Sequence, residues 1–146
     1  MRLGVIERSA AERALRTITE AVRKKTIVFE GAVRHVPTDL DFSEASAWEK
    51  TAGLRLNTYQ NGAYWHTPTG WLIAAVRRRD PPLAAELFGD YIQHLRKNDF
   101  RLNHGPEAPW ECFGPSHYAQ NGVYMTSVTV PVAVMAGESP GLGRHP

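Results

Sequence analysis

Residues 121–136 read NGVYMTSVTVPVAVMA, and whether this stretch is strand or helix decides the fold class. Val128, Thr129, Val130, Val132 and Val134 favour a strand, because β-branched side chains suit a pleated surface and lose rotamer freedom in a helix. Pro131 lacks an N–H and opposes an undisturbed helix interior. Periodicity does not separate the two, since a buried strand and a buried helix both show a continuous apolar run. By propensity alone the stretch is a strand.

Working outward, the upstream segments are easier to read. Ser9 and Glu12 have the spacing of a capping box, in which each side chain satisfies an orphan amide of a helix start. Ala11, Leu15, Ile18 and Val22 then fall on one helical face, and Arg23, Lys24 and Lys25 close it with charge that suits a helix C-terminus. Thr26-Ile27-Val28-Phe29, a Glu30-Gly31 turn and residues 32–36 predict a short β-hairpin near 26–36. The polar stretch 37–57 holds at most a short helix around 43–50 with Trp48 turned inward. Thr67-Pro68 opens a helix that carries Trp71, Leu72, Ala75 and Val76. Asp80 caps the next, in which Ala84, Leu87, Phe88, Tyr91, Ile92 and Leu95 follow the i, i+3, i+4, i+7 pattern. Residues 98–120, punctuated by Gly and Pro, read as loop, and the Gly/Pro-rich end as a flexible tail.

Composition narrows the function. A chain of 146 residues suits one domain. A formal charge of +2 gives no electrostatic case for nucleic acid, and the Arg77-Arg78-Arg79 run sits where a helix ends. Cys112 is the single cysteine, so an intrachain disulfide is excluded. No apolar run reaches the ~20 residues of a membrane span, and residues 1–16 carry no apolar leader. The expectation is a cytoplasmic protein with no membrane and no nucleic-acid partner. His66, His94, His104 and His117 lack metal-ligand spacing, so no metal and no cofactor is expected.

Two stretches hold the residue types that bind sugars: YQNGAYWH at 59–66, and APWECF at 108–113 with YAQNGVY at 118–124. Sugars present apolar C–H faces and dense hydroxyl rims, so their sites combine flat aromatic platforms with amides and carboxylates on loops. By composition alone the favoured reading is that the aromatics fill a core while the amides cap turns. The run YQNGAYWHTPTGW at 59–71 resembles the Y-x-N-G-G-x-W stretch of six-hairpin glycosidases, a family that includes glucoamylases, trehalase-like enzymes and glycogen-debranching glucosidases. Ala63 departs from that stretch where many relatives have a second glycine, and the run APWECFGPSHYAQNGVYMTSVTVPVAVM at 108–135 is similar to the family's C-terminal signature.

That resemblance implies a mainly α fold: residues 1–137 as a single helical domain, the C-terminal part of an (α/α) toroid, with 138–146 as tail. It implies that residues 121–136 are a helix after all. It makes Glu111 the general base that activates water in an inverting glycoside hydrolase, and Trp110 and Phe113 beside it offer desolvation that raises a carboxyl pKa. Gln60, Asn61, Tyr64, Trp65, His66, Trp110 and Tyr118 become the sugar contacts. The family's general acid lies upstream of the matched segment, and none of Glu30, Asp39, Asp41, Glu44 and Glu49 falls in a motif that marks it. The chain is then a segment of a glycoside hydrolase acting on glucosides. Its partners are a carbohydrate and either further copies of itself or the remainder of a larger enzyme, which would cover the open helix faces. The alternatives are a carbohydrate-binding remnant without catalysis and a helical protein-interaction module.

Overall fold

The computed structural model of the protein describes residues 6–34, 57–102 and 108–137. Helix α1 (Arg8–Arg23) leads into strands β1 (Val28–Phe29) and β2 (Ala32–Arg34). Strand β3 (Tyr64–Trp65) runs into α2 (Thr69–Arg77) and α3 (Pro81–Lys97). A short 3₁₀ turn (Phe100–Leu102), strands β4 (Cys112–Gly114) and β5 (Tyr118–Gln120), and helix α4 (Thr126–Met135) complete the described elements. The five strands form one antiparallel sheet in the order β1-β2-β3-β4-β5. Helices α2 and α3 are inserted between β3 and β4 and pack on each other, with α4 on α2.

This sheet overturns the mainly α toroid, because the fold is mixed α/β. The strands are only two or three residues long, below the four or more over which alternation becomes visible in a sequence. The β4–β5 hairpin lies inside the stretch read as loop. Its turn is made by Pro115, Ser116 and His117, the last in the left-handed region at φ 58°. The pairing that joins the sheet's two halves, Tyr64 opposite Phe113, spans far-separated residues and leaves no local trace. The first hairpin stands where the glycine turn placed it, with Val28 opposite Val33 and Phe29 opposite Ala32. The expected short helix at 43–50 lies outside the described residues, as does the tail.

Residues 126–135 are helical, and a hydroxyl from α3 shows how proline is accommodated there. Pro131 has no N–H to give the carbonyl of Ser127, one turn earlier. The buried Tyr91 hydroxyl donates to that carbonyl at 3.0 Å, so the bond the helix cannot make is made by its neighbour. Burial pushes the Tyr91 phenol up to about 12, which keeps it a donor. Ser127 in turn donates through Oγ to the carbonyl of Trp110 at 2.8 Å, tying α4 to the β4 approach.

Two glycines permit close approach. A Cβ on Gly31 would stand 2.3 Å from the backbone of Tyr91, and its φ of 75° is one that side chains resist. A Cβ on Gly70 would meet the backbone of Pro131 at 2.8 Å, so α2 and α4 touch backbone to backbone. The core has two parts. Val22, Val28, Ile73, Val76, Ala84 and Leu87 join α1, β1, α2 and α3. Ala32, Tyr64 and Phe113, with Phe29 and Trp110 against them, fill the sheet side.

Helix α1 begins differently from the capping-box expectation. Glu7 is the N-cap, its carboxylate accepting from the amides of Ser9 at 3.0 Å and Ala10 at 3.2 Å. Those bonds, led by the one from the Ser9 hydroxyl, hold the Glu7 carboxyl below its ordinary range. Thr19 and Val22 are the buried residues of α1, and Ile18 faces outward. The Asp80 cap of α3 is as the sequence predicts, accepting from the amide of Leu83 at 3.0 Å.

Candidate functional site

A groove of about 530 Å³ opens where β2, the 57–62 turns, β3 and the start of α2 meet. Tyr59, Trp65 and Trp71 supply aromatic surface, and Arg34, Gln60 and Glu111 supply polar groups. Among the described residues Glu111 is the one carboxylate in its lining. Tyr59 and Trp65 form a corner, with ring centroids 5.3 Å apart and planes at 51°. Arg34 is fixed by donating from Nε to the carbonyl of Gly62 at 3.3 Å and from Nη2 to Oδ1 of Asn57 at 2.8 Å.

Glu111 is half-buried and held on both oxygens. The Tyr59 hydroxyl donates to Oε1 at 3.4 Å, and Nδ2 of Asn121 donates to Oε2. The backbone amide of Glu111 bonds back to the carbonyls of Gln120 and Asn121 at 3.1 and 3.2 Å, so the carboxylate and the end of β5 clamp each other. Both side-chain donors stand on left-handed backbone, Tyr59 at φ 38° and Asn121 at φ 51°. Asparagine tolerates this conformation, whereas for tyrosine it costs on the order of 1–3 kcal/mol. The turn that imposes it is closed by reciprocal bonds: the Asn57 amide to the Asn61 carbonyl and the Asn61 amide to the Thr58 carbonyl, both 2.8 Å. The charge of Glu111, and next burial, raise the Tyr59 phenol above its ordinary value, so it stays protonated as a donor.

Of the expected sugar contacts, Gln60 and Trp65 line this groove beside Glu111. The others have different surroundings. Tyr64 is buried against Phe29, at 5.5 Å between rings, since successive side chains of a strand point to opposite faces. Asn61 is buried in the turn it closes. Tyr118 supports the site from behind, accepting the Tyr59 amide at 3.1 Å and donating to Gln120. Trp110 packs edge-on to His94 and beside Phe113, and Glu111 takes its contacts from hydroxyl and amide donors.

His66 is a structural residue. Its Nε2–H donates to the carbonyl of Glu30 at 3.2 Å, because a carbonyl can only accept. The ring lies within 5 Å of those of Tyr91, His94 and Phe113, and burial drives its pKa down to about 3. Next to it, His94 donates from Nδ1 to the Glu30 carboxylate at 2.7 Å and stacks on Phe113 at 4.3 Å. Desolvation lowers the His94 pKa despite that carboxylate. Glu30, considered above as a general acid, is therefore engaged with His94 and with Lys97 at 3.7 Å, and does not line the groove. Asp39, Asp41, Glu44 and Glu49 lie outside the described residues.

Sequence reading missed Tyr59, Arg34, Trp71 and Asn121 as members of the site. Tyr59 and Asn121 carried a signal, since each adjoins an Asn/Gly turn able to hold left-handed backbone. Trp71 stands among the apolar residues of its helix, but the buried positions of α2 are Thr69, Gly70, Ile73 and Val76. Comparison with protein-family models, curated proteins and solved structures finds nothing that matches this chain. Among the described residues no helix is long and apolar enough to cross a membrane.

Proposed function

We propose that the groove is a carbohydrate site in which Glu111 acts as the general base of glycoside hydrolysis, the chain supplying the base-bearing segment of such an enzyme. The observation that carries this reading is the Glu111 carboxylate, fixed on both oxygens from two left-handed residues at the edge of an aromatic corner. Backbone strain of this kind persists where the surrounding structure over-determines it, and it concentrates at functional sites. A held carboxylate beside aromatic faces, an amide and a guanidinium is what a ring with an apolar face and a hydroxyl rim requires. The likeness of residues 59–71 and 108–135 to the sugar-site segments of six-hairpin glycosidases supplies the reaction, though not the fold.

Binding without hydrolysis is the second reading, and one observation favours it. Inverting hydrolysis uses two carboxyls about 6.5–9.5 Å apart, and the groove's described lining holds one. The test is a titration of the protein with glucose and malto- and cello-oligosaccharides, followed by tryptophan fluorescence, beside an assay on p-nitrophenyl glucosides. Millimolar binding, near 4 kcal/mol, is expected. Turnover that disappears in Glu111→Gln supports hydrolysis, and binding without turnover supports the second reading. A silent titration up to tens of millimolar of every sugar sinks both.

A further inference from the structure

We propose that Trp71 is the platform of a second sugar subsite, so that the groove takes an oligosaccharide of two or more residues and binds a monosaccharide only in part. The inference rests on the carbohydrate reading of the groove and extends it to ligand length. Trp71 is 50% exposed, although indole is among the side chains that gain most from burial. It cannot turn into the protein, because the inner face of α2 is taken up by Gly70 against Pro131 and by Ile73 and Val76 in the core. The indole is thus presented to the groove's open side by a helix whose other face is fixed by backbone contact.

Its placement relative to the first platform is equally constrained. Trp65 and Trp71 flank the Thr67-Pro68 turn, whose residues also line the groove. The turn is rigid: proline sets its own φ, and the amide of Thr69 bonds to the carbonyl of His66 at 2.9 Å. The Thr69 hydroxyl is buried and donates to the carbonyl of Gly31 at 2.8 Å, so the start of α2 is pinned to the β1–β2 turn. Tyr59 and Trp65 already contact each other as a corner, whereas Trp71 enters no ring pair among the described residues. One groove therefore carries two separate aromatic faces held at a fixed spacing, with Glu111 lining the same groove. Two separate aromatic faces along one groove offer stacking to two successive rings of one chain.

The experiment compares glucose, maltose and maltotriose, and the cello series in parallel, on the whole chain and on Trp71→Ala. In the parent chain affinity is expected to rise about 3- to 10-fold from glucose to the disaccharide, the gain of one added stacking contact. In Trp71→Ala the rise disappears, and all three sugars bind as glucose binds the parent. Trp65→Ala weakens every sugar, glucose included. Trp71→Gln, which keeps a longer side chain over the exposed face of α2, serves if the alanine variant melts early. The proposal is overturned if the parent binds glucose and oligosaccharides equally, or if Trp71→Ala retains the full rise; either leaves the carbohydrate reading standing. It is also overturned if Trp71→Ala changes the oligomeric state in sedimentation while sugar affinity stays put, which makes the indole an interface residue. No binding of any sugar overturns this proposal together with the reading beneath it.

Discussion

Tyr64 and Trp65 are neighbours in β3, yet they serve two regions with opposite characters. Tyr64 belongs to a closed aromatic cluster with Phe29, Phe113 and, beyond them, His66, His94 and Trp110. Trp65 belongs to an open groove with Tyr59, Trp71 and Glu111. The two regions have almost the same composition: aromatic rings mixed with polar side chains from loops and strand ends. In the closed region His66 donates to the carbonyl of Glu30 and His94 to its carboxylate, while Nε2 of His94 and Nε1 of Trp110 are buried without a hydrogen-bond partner. In the open region the polar groups are held by their neighbours and still face a cavity. Residue type therefore does not distinguish a packed aromatic cluster from a binding surface. What distinguishes them is burial: Tyr64, His66, His94 and Phe113 are buried, whereas Trp65 and Glu111 are half-buried and Trp71 is exposed.

The comparison is broken most severely at Gly31, which lets the closed region close. Gly31→Ala forces a Cβ into the Tyr91 backbone at a positive φ, and a loss on the order of 4 kcal/mol in urea unfolding is expected. A near-native midpoint would mean that the turn is not pinned against α3. Next in size is the contrast between the tryptophans. Trp110→Ala removes a ring packed on His94 and Phe113 and is expected to cost about 3 kcal/mol. Trp65→Ala, on the groove, is expected to cost about 1 kcal/mol and to weaken sugar binding. Equal losses from both would erase the distinction between the regions.

Acid should attack the closed region first. His66 in the folded protein has its pKa depressed to about 3, so the folded state binds fewer protons than the unfolded chain below about pH 6.5. Its contribution is complete above that value and is lost as pH falls toward 3; His94, also lowered, acts in the same direction. Between pH 7 and pH 5 the loss from His66 is about 2 kcal/mol. His66→Gln keeps an N–H for the Glu30 carbonyl and should flatten that slope; an unchanged slope would place the titration elsewhere. Tyr91→Phe is expected to cost about 1–2 kcal/mol, from leaving the buried Ser127 carbonyl without a donor. A neutral substitution there would mean that Pro131 needs no compensation from α3.

Much of the local structure is legible in the sequence. The Asp80 cap and the apolar spacing from Ala84 to Tyr91 predict α3, and the Glu30-Gly31 turn predicts the first hairpin, because both signals lie within a few residues of one another. The β4–β5 hairpin was not legible. Its strands have three residues each, too few to show alternation, and a Gly/Pro/Ser-bearing turn reads as loop. Gln60, Trp65 and Glu111 line one groove, whereas strand direction and burial give Tyr64, His66 and Trp110 other surroundings that residue type does not record.

The sequence by itself determined the caps, the glycine turn and the supply of aromatics and amides, since these depend on backbone sterics and on neighbours within one or two turns. Propensity alone makes residues 126–135 a strand and only the likeness to the glycosidase signature implied a helix; the tertiary structure decided for the helix, in which a hydroxyl 36 residues earlier reaches the carbonyl that Pro131 leaves open. It also decided the sheet, through the long-range pairing of Tyr64 with Phe113, and it decided which aromatics line the groove with Glu111. The physical reason is the same in each case: the energy that fixes the choice comes from a partner far away in the chain, and nothing within reach of a local pattern records it.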